Sequence, residues 1–354
     1  MHNPEADEVS LLGVSEIADL LAVSKQTVSN WRTRDEAFPK PMADLKSGPV
    51  WMRNEIVIWA QANGHRLQKT EEVKPSAKTP RKKACVVAVM NAKGGVGKST
   101  VTINLGWYCY SRFQKKVLLV DLDPQFNLSQ YALGSDEYEK LVRAKKPTIS
   151  TIFANGSSKV GKEAVNQIRA SRAGGKLDLI PSDLDLAWVT RDGYFKDVML
   201  DNYLKHTIGK DNYDLILIDC PPTDSMLTDA AYSASDFLLI PVRPEFLPAI
   251  GLPLIDRSLH RFREHKPDSN VQVAGIVLNG VVESKPEYKR SKADILKASK
   301  VFNWPMFQTE LSASESYPKG SRLGLPIFLT NHARWEKVTN FSSFAKEFAE
   351  RISL

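Results

Sequence analysis

The chain of 354 residues is poor in cysteine, with only Cys85, Cys109 and Cys220. An odd number without CxxC spacing argues against a disulfide framework, a zinc ribbon or a thiol redox motif. A chain this long buries enough core to need no disulfide staples. No apolar run approaches the ~18 residues that span a bilayer. The first residues, MHNPEADE, are polar and acidic and lack the apolar stretch of a signal peptide. No internal repeat and no low-complexity tract stands out. Charge of one sign is absent too: 48 Lys and Arg face 41 Asp and Glu, for a formal net charge of +7. These features predict a soluble cytoplasmic protein of about two domains. The small excess of positive charge fits either a solvated surface or a polyanionic partner, so its placement has to decide.

One composition break stands out. RLQKTEEVKPSAKTPRKK (66–83) has two prolines, no aromatic residue and +5 of the net charge. It has too little apolar surface to offset the entropy of ordering. The expected organisation is a small domain over 1–66, a basic linker over 67–83 and a large domain over 84–354. The large domain alternates helix-like stretches with short β-rich runs at 84–90, 117–123, 177–182, 215–220, 237–242 and 273–279. Continuous apolar runs of this kind suit strands covered on both faces. The predicted fold class is α/β, a mainly parallel, doubly wound sheet, preceded by a small, mostly helical winged helix-turn-helix domain.

After the first run comes Asn91-Ala92-Lys93-Gly94-Gly95-Val96-Gly97-Lys98-Ser99-Thr100, then an apolar helix. Strand, glycine-rich loop and helix is the setting of a phosphate-binding loop. Glycines let backbone N–H groups converge on phosphate oxygens, and the helix N-terminus adds its positive dipole end. Lys98 would reach the β and γ phosphates, and Ser99 would ligate Mg²⁺. The variant here is KGGVGKST, with a second lysine at Lys93. Further acids close other strands: Asp121 and Asp123 in DLDPQFN and Asp219 in LILIDCPP. Acids at the carboxyl ends of strands can hold Mg²⁺-bound water and orient an attacking water.

KGGVGKST, VLLVDLDPQFN and YDLILIDCPP together resemble the deviant Walker A ATPases, and among them the ParA-type DNA partition ATPases. The resemblance covers about residues 84–354. It implies ATP and Mg²⁺ as cofactors and hydrolysis in a nucleotide-sandwich homodimer. In that pattern Lys93 reaches the partner's ATP, Lys98 is the ordinary loop lysine, and Asp123 positions the attacking water. Asp219 is the Walker B acid, acting on Mg²⁺ through water. The implied metal set is Ser99, Asp123 and Asp219, with Asp121 behind it. PVRPEFLPAIGL (241–252) resembles the family's segment near the adenine, and Asn279 is a candidate for the adenine edge.

VSEIADLLAVSKQTVSNWRTR (14–34) reads as two helices packed through Ile17, Leu20, Leu21, Val28 and Trp31. Ala22-Val23-Ser24 makes the turn, with Ser24 as N-cap. The second helix would present Lys25, Gln26, Thr27, Ser29, Asn30 and Arg32 to a major groove. A following strand in SGPVWMR and a helix over 54–62 resemble the winged modules of excisionase-like and MerR-like regulators.

Two basic segments, KPEYKRSKADILK (285–297) and YPKGSRLG (317–324), lie where ParA-type proteins bind nonspecific DNA. The candidates are Lys289, Arg290, Lys292, Lys319 and Arg322. The last stretch (334–354) is amphipathic through Trp335, Val338, Phe341, Phe344, Phe348 and Ile352. Its polar face mixes both signs, which favours a core-packing helix over a membrane anchor. The expected function is a nucleoid-associated partition ATPase stimulated by a ParB-type centromere-binding protein, with an N-terminal domain that binds an operator. The alternatives are a MinD-type membrane-positioning ATPase and a transcription regulator with a secondary ATPase. A nitrogenase-reductase type lacks its cluster cysteines here.

Overall fold

The computed structural model describes residues 11–35, 37–41, 43–45, 48–63, 65, 84–155, 160–171, 174–189, 196–244, 251–330 and 333–354. The expected linker at 67–83 lies outside them, as does 245–250 of the adenine segment.

The N-terminal part runs β1 (Leu11–Leu12), α1 (Val14–Leu21), α2 (Lys25–Arg34), β2 (Ala43–Leu45), β3 (Gly48–Met52) and α3 (Arg53–Ala62). The three strands form a small antiparallel sheet in the order β1-β3-β2. Helix α1 stops at Ala22, which takes a left-handed φ of 52°. Ser24 caps α2 by accepting from the Thr27 N–H at 3.1 Å, as its place in the sequence predicts. Ile17, Ala18, Leu21 and Val28 are buried with Phe38, Trp51, Ile56 and Trp59. Leu20 and Trp31 pack at the margin of this core. The buried Trp51 indole donates to the Pro39 carbonyl at 2.7 Å, so its polar end is satisfied.

The larger part is built on eight strands: β4 (Cys85–Val89), β5 (Lys116–Asp121), β6 (Asn166–Ala170), β7 (Lys176–Ile180), β8 (Leu215–Asp219), β9 (Phe237–Val242), β10 (Gln272–Val281) and β11 (Leu311–Ser312). Their order is β11-β10-β9-β4-β8-β5-β7-β6. Every pairing is parallel except that of β6 with β7. Strand side chains alternate between two cores. Val86, Ala88, Leu118, Val120, Ile216 and Ile218 enter one. Val87, Val89, Val117, Leu119, Leu215 and Leu217 enter the other. Both faces are therefore apolar, which is why these strands read as unbroken hydrophobic runs.

The helices are α4 (Lys98–Phe113), α5 (Asn127–Leu133), α6 (Ser135–Arg143), α7 (Ile149–Asn155), α8 (Leu186–Val189), α9 (Met199–Asn202), α10 (Met226–Ala234), α11 (Gly251–His265), α12 (Pro286–Val301), α13 (Ser316–Leu323) and α14 (Trp335–Arg351). Helix α4 lies close on β5. A Cβ at Gly106 would meet the Leu119 side chain at 2.7 Å, so a larger residue there would have to push that leucine aside. Helix α14 buries Phe341, Phe344, Ala345 and Phe348, in line with a core-packing role. Trp335 departs from that expectation: it starts the helix and is 79% exposed. Among the described residues no helix is long and apolar enough to cross a membrane.

Two edge strands, β6 and β11, escaped the sequence reading. NQIRA is short and mostly exposed, and β11 has two residues. Neither carries the apolar run that reveals a buried strand.

Candidate functional site

Central β4 runs into the loop 91–97, and α4 begins at Lys98. Gly95 and Gly97 hold φ values of +74° and +90°, a region that strongly favours glycine. Three side chains set its shape, one from its own first residue and two from distant strand ends. The Asn91 amide donates to the Pro241 carbonyl at 2.8 Å and its oxygen accepts the Lys93 N–H at 2.9 Å. Asn279, at the end of β10, donates to the Val96 carbonyl at 2.8 Å. Arg243, after β9, donates to the Gly95 carbonyl at 3.3 Å. A Cβ at Gly97 would fall 2.3 Å from the Asn279 amide, so that close approach also demands glycine.

Lys98 is buried, and its ammonium reaches the carbonyls of Asn91 and Lys93 at 3.3 and 3.4 Å. These are long contacts for a charged donor. Burial lowers its pKa, against the opposing pull of Asp219 and Asp123. The carboxyl ends of β5 and β8 bring three acids to the same edge. Asp219 ends β8, directly opposite Asp121 at the end of β5. Asp123 lies two residues past that strand.

The three acids differ in how they are satisfied. Asp121 is fully buried and accepts from the Ser129 N–H at 2.8 Å, the Ser129 hydroxyl at 2.6 Å and the Asp123 N–H at 3.2 Å. Burial pushes its carboxyl up to about 7, against these hydrogen bonds. Its oxygens are turned to its own loop and to Ser129, so it orders the turn that presents Asp123. Asp123 accepts from the Gln125 N–H at 2.9 Å; burial raises its pKa, and Gln125 and Lys98 oppose the rise. Asp219 is fully buried, and among the described residues neither of its oxygens has a hydrogen-bond partner. Burial and then the charge of Asp121 push it well above the usual carboxylate range. The Ser99 hydroxyl and Lys98 oppose that shift.

A buried, unpartnered carboxylate is costly to keep. It fits a site completed by a cation and its water. Among the described residues no three His, Cys, Asp or Glu side chains form a closed metal cage. Mg²⁺ is ordinarily held by one or two carboxylates, a hydroxyl, waters and phosphate oxygens. Ser99 and Asp219 match that donor set, with Asp123 beside them. The backbone of Gly94, Gly95, Val96, Gly97, Lys98, Ser99 and Thr100, at the start of α4, could cradle a phosphate.

The DNA candidates fall into separate groups. On α2, Lys25, Gln26, Asn30 and Arg32 are exposed. Thr27 and Ser29 are half-buried, and the Ser29 hydroxyl donates to the Lys25 carbonyl at 3.1 Å. Lys289 and Arg290 are exposed on α12, and Lys319 and Arg322 on α13. Lys292 differs from them: it pairs with Glu310 at 2.6 Å and reaches the Tyr288 hydroxyl at 3.3 Å. Its charge is engaged locally, so it is the weakest of the five for a phosphate contact.

Sequence reasoning missed Asn91, Ser129 and Arg243. No spacing rule marks an asparagine before a glycine loop, or a serine eight residues after an aspartate. Their roles come from chain crossings such as that of Asn91 with Pro241.

A family model described as an AAA domain matches residues 84–273. The sporulation initiation inhibitor protein Soj of Bacillus subtilis is 30% identical over 220 residues, covering 58% of this chain and 81% of that protein. The chromosome partitioning protein ParA of Caulobacter vibrioides is 33% identical over 196 residues, covering 54% and 68%. Among solved structures, a plasmid partition protein of Borrelia burgdorferi bound to AMPPNP superposes with a TM-score of 0.57 at 24% identity. That superposition covers 76% of this chain and 100% of that one.

Proposed function

The chain belongs to the ParA/Soj family of partition ATPases, and we propose that it hydrolyses ATP as a dimer that rides on DNA. The observation that carries this reading is Asp219, buried without a hydrogen bond beside Lys98 and Ser99 at the mouth of the KGGVGKST loop. Bound Mg²⁺·ATP supplies the charge that this carboxylate and Lys98 are placed to hold. Ser99 ligates the metal directly and Asp219 acts through water. Asp123 orients the attacking water. Lys98 takes the β and γ phosphate oxygens, releasing its long contacts to the loop carbonyls. Lys93 acts in trans on the partner's nucleotide, the part an arginine finger plays elsewhere. Asn279, already on the loop, faces the adenine edge.

Hydrolysis tied to a dimer suits a timer. The ATP dimer holds nonspecific DNA through Lys289, Arg290, Lys319 and Arg322. A ParB-type centromere-binding protein stimulates hydrolysis and release. The N-terminal part is a winged helix-turn-helix domain that reads operator DNA through Lys25, Gln26, Asn30 and Arg32 and represses its own operon. The protein is then nucleoid-associated.

The test is nonspecific duplex binding by the full chain across a salt series, with ATP·Mg²⁺ and with ADP. Combined Lys25→Ala, Asn30→Ala and Arg32→Ala substitutions silence the N-terminal contacts. Binding with ATP alone, with a log–log salt slope near −0.9 per neutralised phosphate, is expected. Lys93→Ala is expected to lose both hydrolysis and ATP-driven binding. Wild-type turnover in that variant would overturn the role in trans, and equal binding with ADP would overturn the nucleotide gate.

A further inference from the structure

The loop after Asp219 reads Cys220-Pro221-Pro222-Thr223-Asp224-Ser225. Its backbone has few donors to offer. The Cys220 N–H is held by the Val89 carbonyl at 3.1 Å, and Pro221 and Pro222 have none. Thr223 and Asp224 are the next residues with an N–H, and neither N–H has a partner among the described residues. Both line a cavity of about 410 Å³ that Asn91 and Ala92 of the glycine loop also line. The position of this loop therefore sets where these two N–H donors stand relative to that cavity.

Its position is held from two helices: on the α10 side the Thr228 hydroxyl donates to the Thr223 carbonyl at 2.6 Å, and on the other side α11 holds Asp224. The Asp224 carboxylate accepts from the Ser258 hydroxyl at 2.7 Å and from Arg261 at 2.9 Å, both on α11. The same helix touches the glycine loop at its other end, because a Cβ at Gly251 would come 2.8 Å from the Asn91 oxygen. Asn91 in turn holds the Lys93 N–H. Helix α11 thus spans the loop that carries Lys93 and the loop that follows Asp219. The two contacts on Asp224 are unequal. Ser258 is buried, so its bond is shielded. Arg261 and Asp224 are about half exposed, and water screens that pair.

We propose that Asp224 is a positioning residue for ATP hydrolysis, latched to α11 by Ser258 and, more weakly, by Arg261. This rests on the ATPase reading above. The latch sets Thr223 and Asp224 against the glycine loop, so it acts on the hydrolytic step and leaves nucleotide binding to the loop and Lys98.

Steady-state turnover and the affinity for a fluorescent ATP analogue separate the two effects in the full chain. Asp224→Ala is expected to lower turnover about tenfold, the effect of losing one hydrogen bond to a charged group. Its affinity for the analogue should stay within about twofold. Ser258→Ala should lose most of the same factor, and the Asp224→Ala/Ser258→Ala pair no more than Asp224→Ala alone. Arg261→Lys should stay near wild type. Unchanged turnover in Asp224→Ala overturns the proposal. So does a parallel loss of turnover, affinity and melting temperature, or additive losses in the pair. A wild-type chain without turnover would instead overturn the ATPase reading itself.

Discussion

At the end of β8 the Asp219 carboxylate is shut away from water, with no hydrogen bond to either oxygen among the described residues. Burial favours its protonated form, and the nearby Asp121 charge adds to that. Its place in the fold is a liability until a cation shares it. Asp219→Asn removes that liability and the chemistry together. The nucleotide-free protein should gain about 1–3 kcal/mol, read as a higher melting temperature in the presence of a chelator. Hydrolysis should fall at least about a hundredfold if the group acts, as proposed, on charge developing at the reaction centre. A variant that melts lower than wild type without nucleotide would contradict this account. Gly97 makes the opposite case, where the side chain must be missing. Its φ of +90° and the 2.3 Å approach of Asn279 leave no room for a Cβ, so Gly97→Ala should weaken ATP binding at least about tenfold. A fluorescent ATP analogue reads that loss. The glycine's necessity was legible in KGGVGKST; the neighbour that enforces it lies 182 residues further along the chain and was not.

At the scale of elements, α14 is fastened to the sheet edge by one acid. Glu347 accepts from the Gln308 N–H at 2.8 Å, the Thr309 N–H at 3.1 Å and Arg351 at 2.8 Å. Burial alone would raise its pKa, but these donors hold it below the usual value. A carboxyl held low in the folded state adds stability that is full above its unfolded pKa and fades as pH falls through the folded value. Glu347→Gln should therefore lose about 1 kcal/mol at pH 7 and lie closer to wild type below about pH 4, as urea unfolding at the two pH values would show. Equal losses at both would mean that ionisation of Glu347 does not matter. The helix itself was legible from its spacing of phenylalanines. That Trp335 stays outside was not, because a residue on the apolar stripe is buried only if a neighbour reaches it. The buried strands were legible as V/I/L runs. The edge strand β6 was not, since its one-sided packing leaves no such run.

For the molecule as a whole, the small N-terminal part has its own core, with Trp51 and Trp59 among its buried residues. Among the described residues it shares no sheet with the larger part. Binding to specific DNA and hydrolysis should then separate. Lys25→Ala, Asn30→Ala and Arg32→Ala together are expected to weaken operator binding at least about a hundredfold, at about 1–3 kcal/mol per base contact. ATP turnover should stay within about twofold. Gel-shift titration against the operator region of its own gene, beside a steady-state ATPase assay, would show whether the two activities part. Loss of both would mean that the N-terminal part takes a direct share in the catalytic centre.

The amino-acid sequence alone determined the local chemistry. A glycine loop between an apolar strand and a helix, acids at strand ends, a serine cap and helical spacing all act over a few residues, so their pattern is visible in one dimension. Only the tertiary structure decided which partners satisfy those groups. Asp121 and Asp219 stand opposite one another at adjacent strand ends, yet Ser129 satisfies the first and no described residue satisfies the second. Asn279 and Arg243 close on the loop from strands distant in sequence, and Lys292 is drawn to Glu310. Such pairings depend on strand order, which hydrophobic burial chooses without leaving a local trace in the chain.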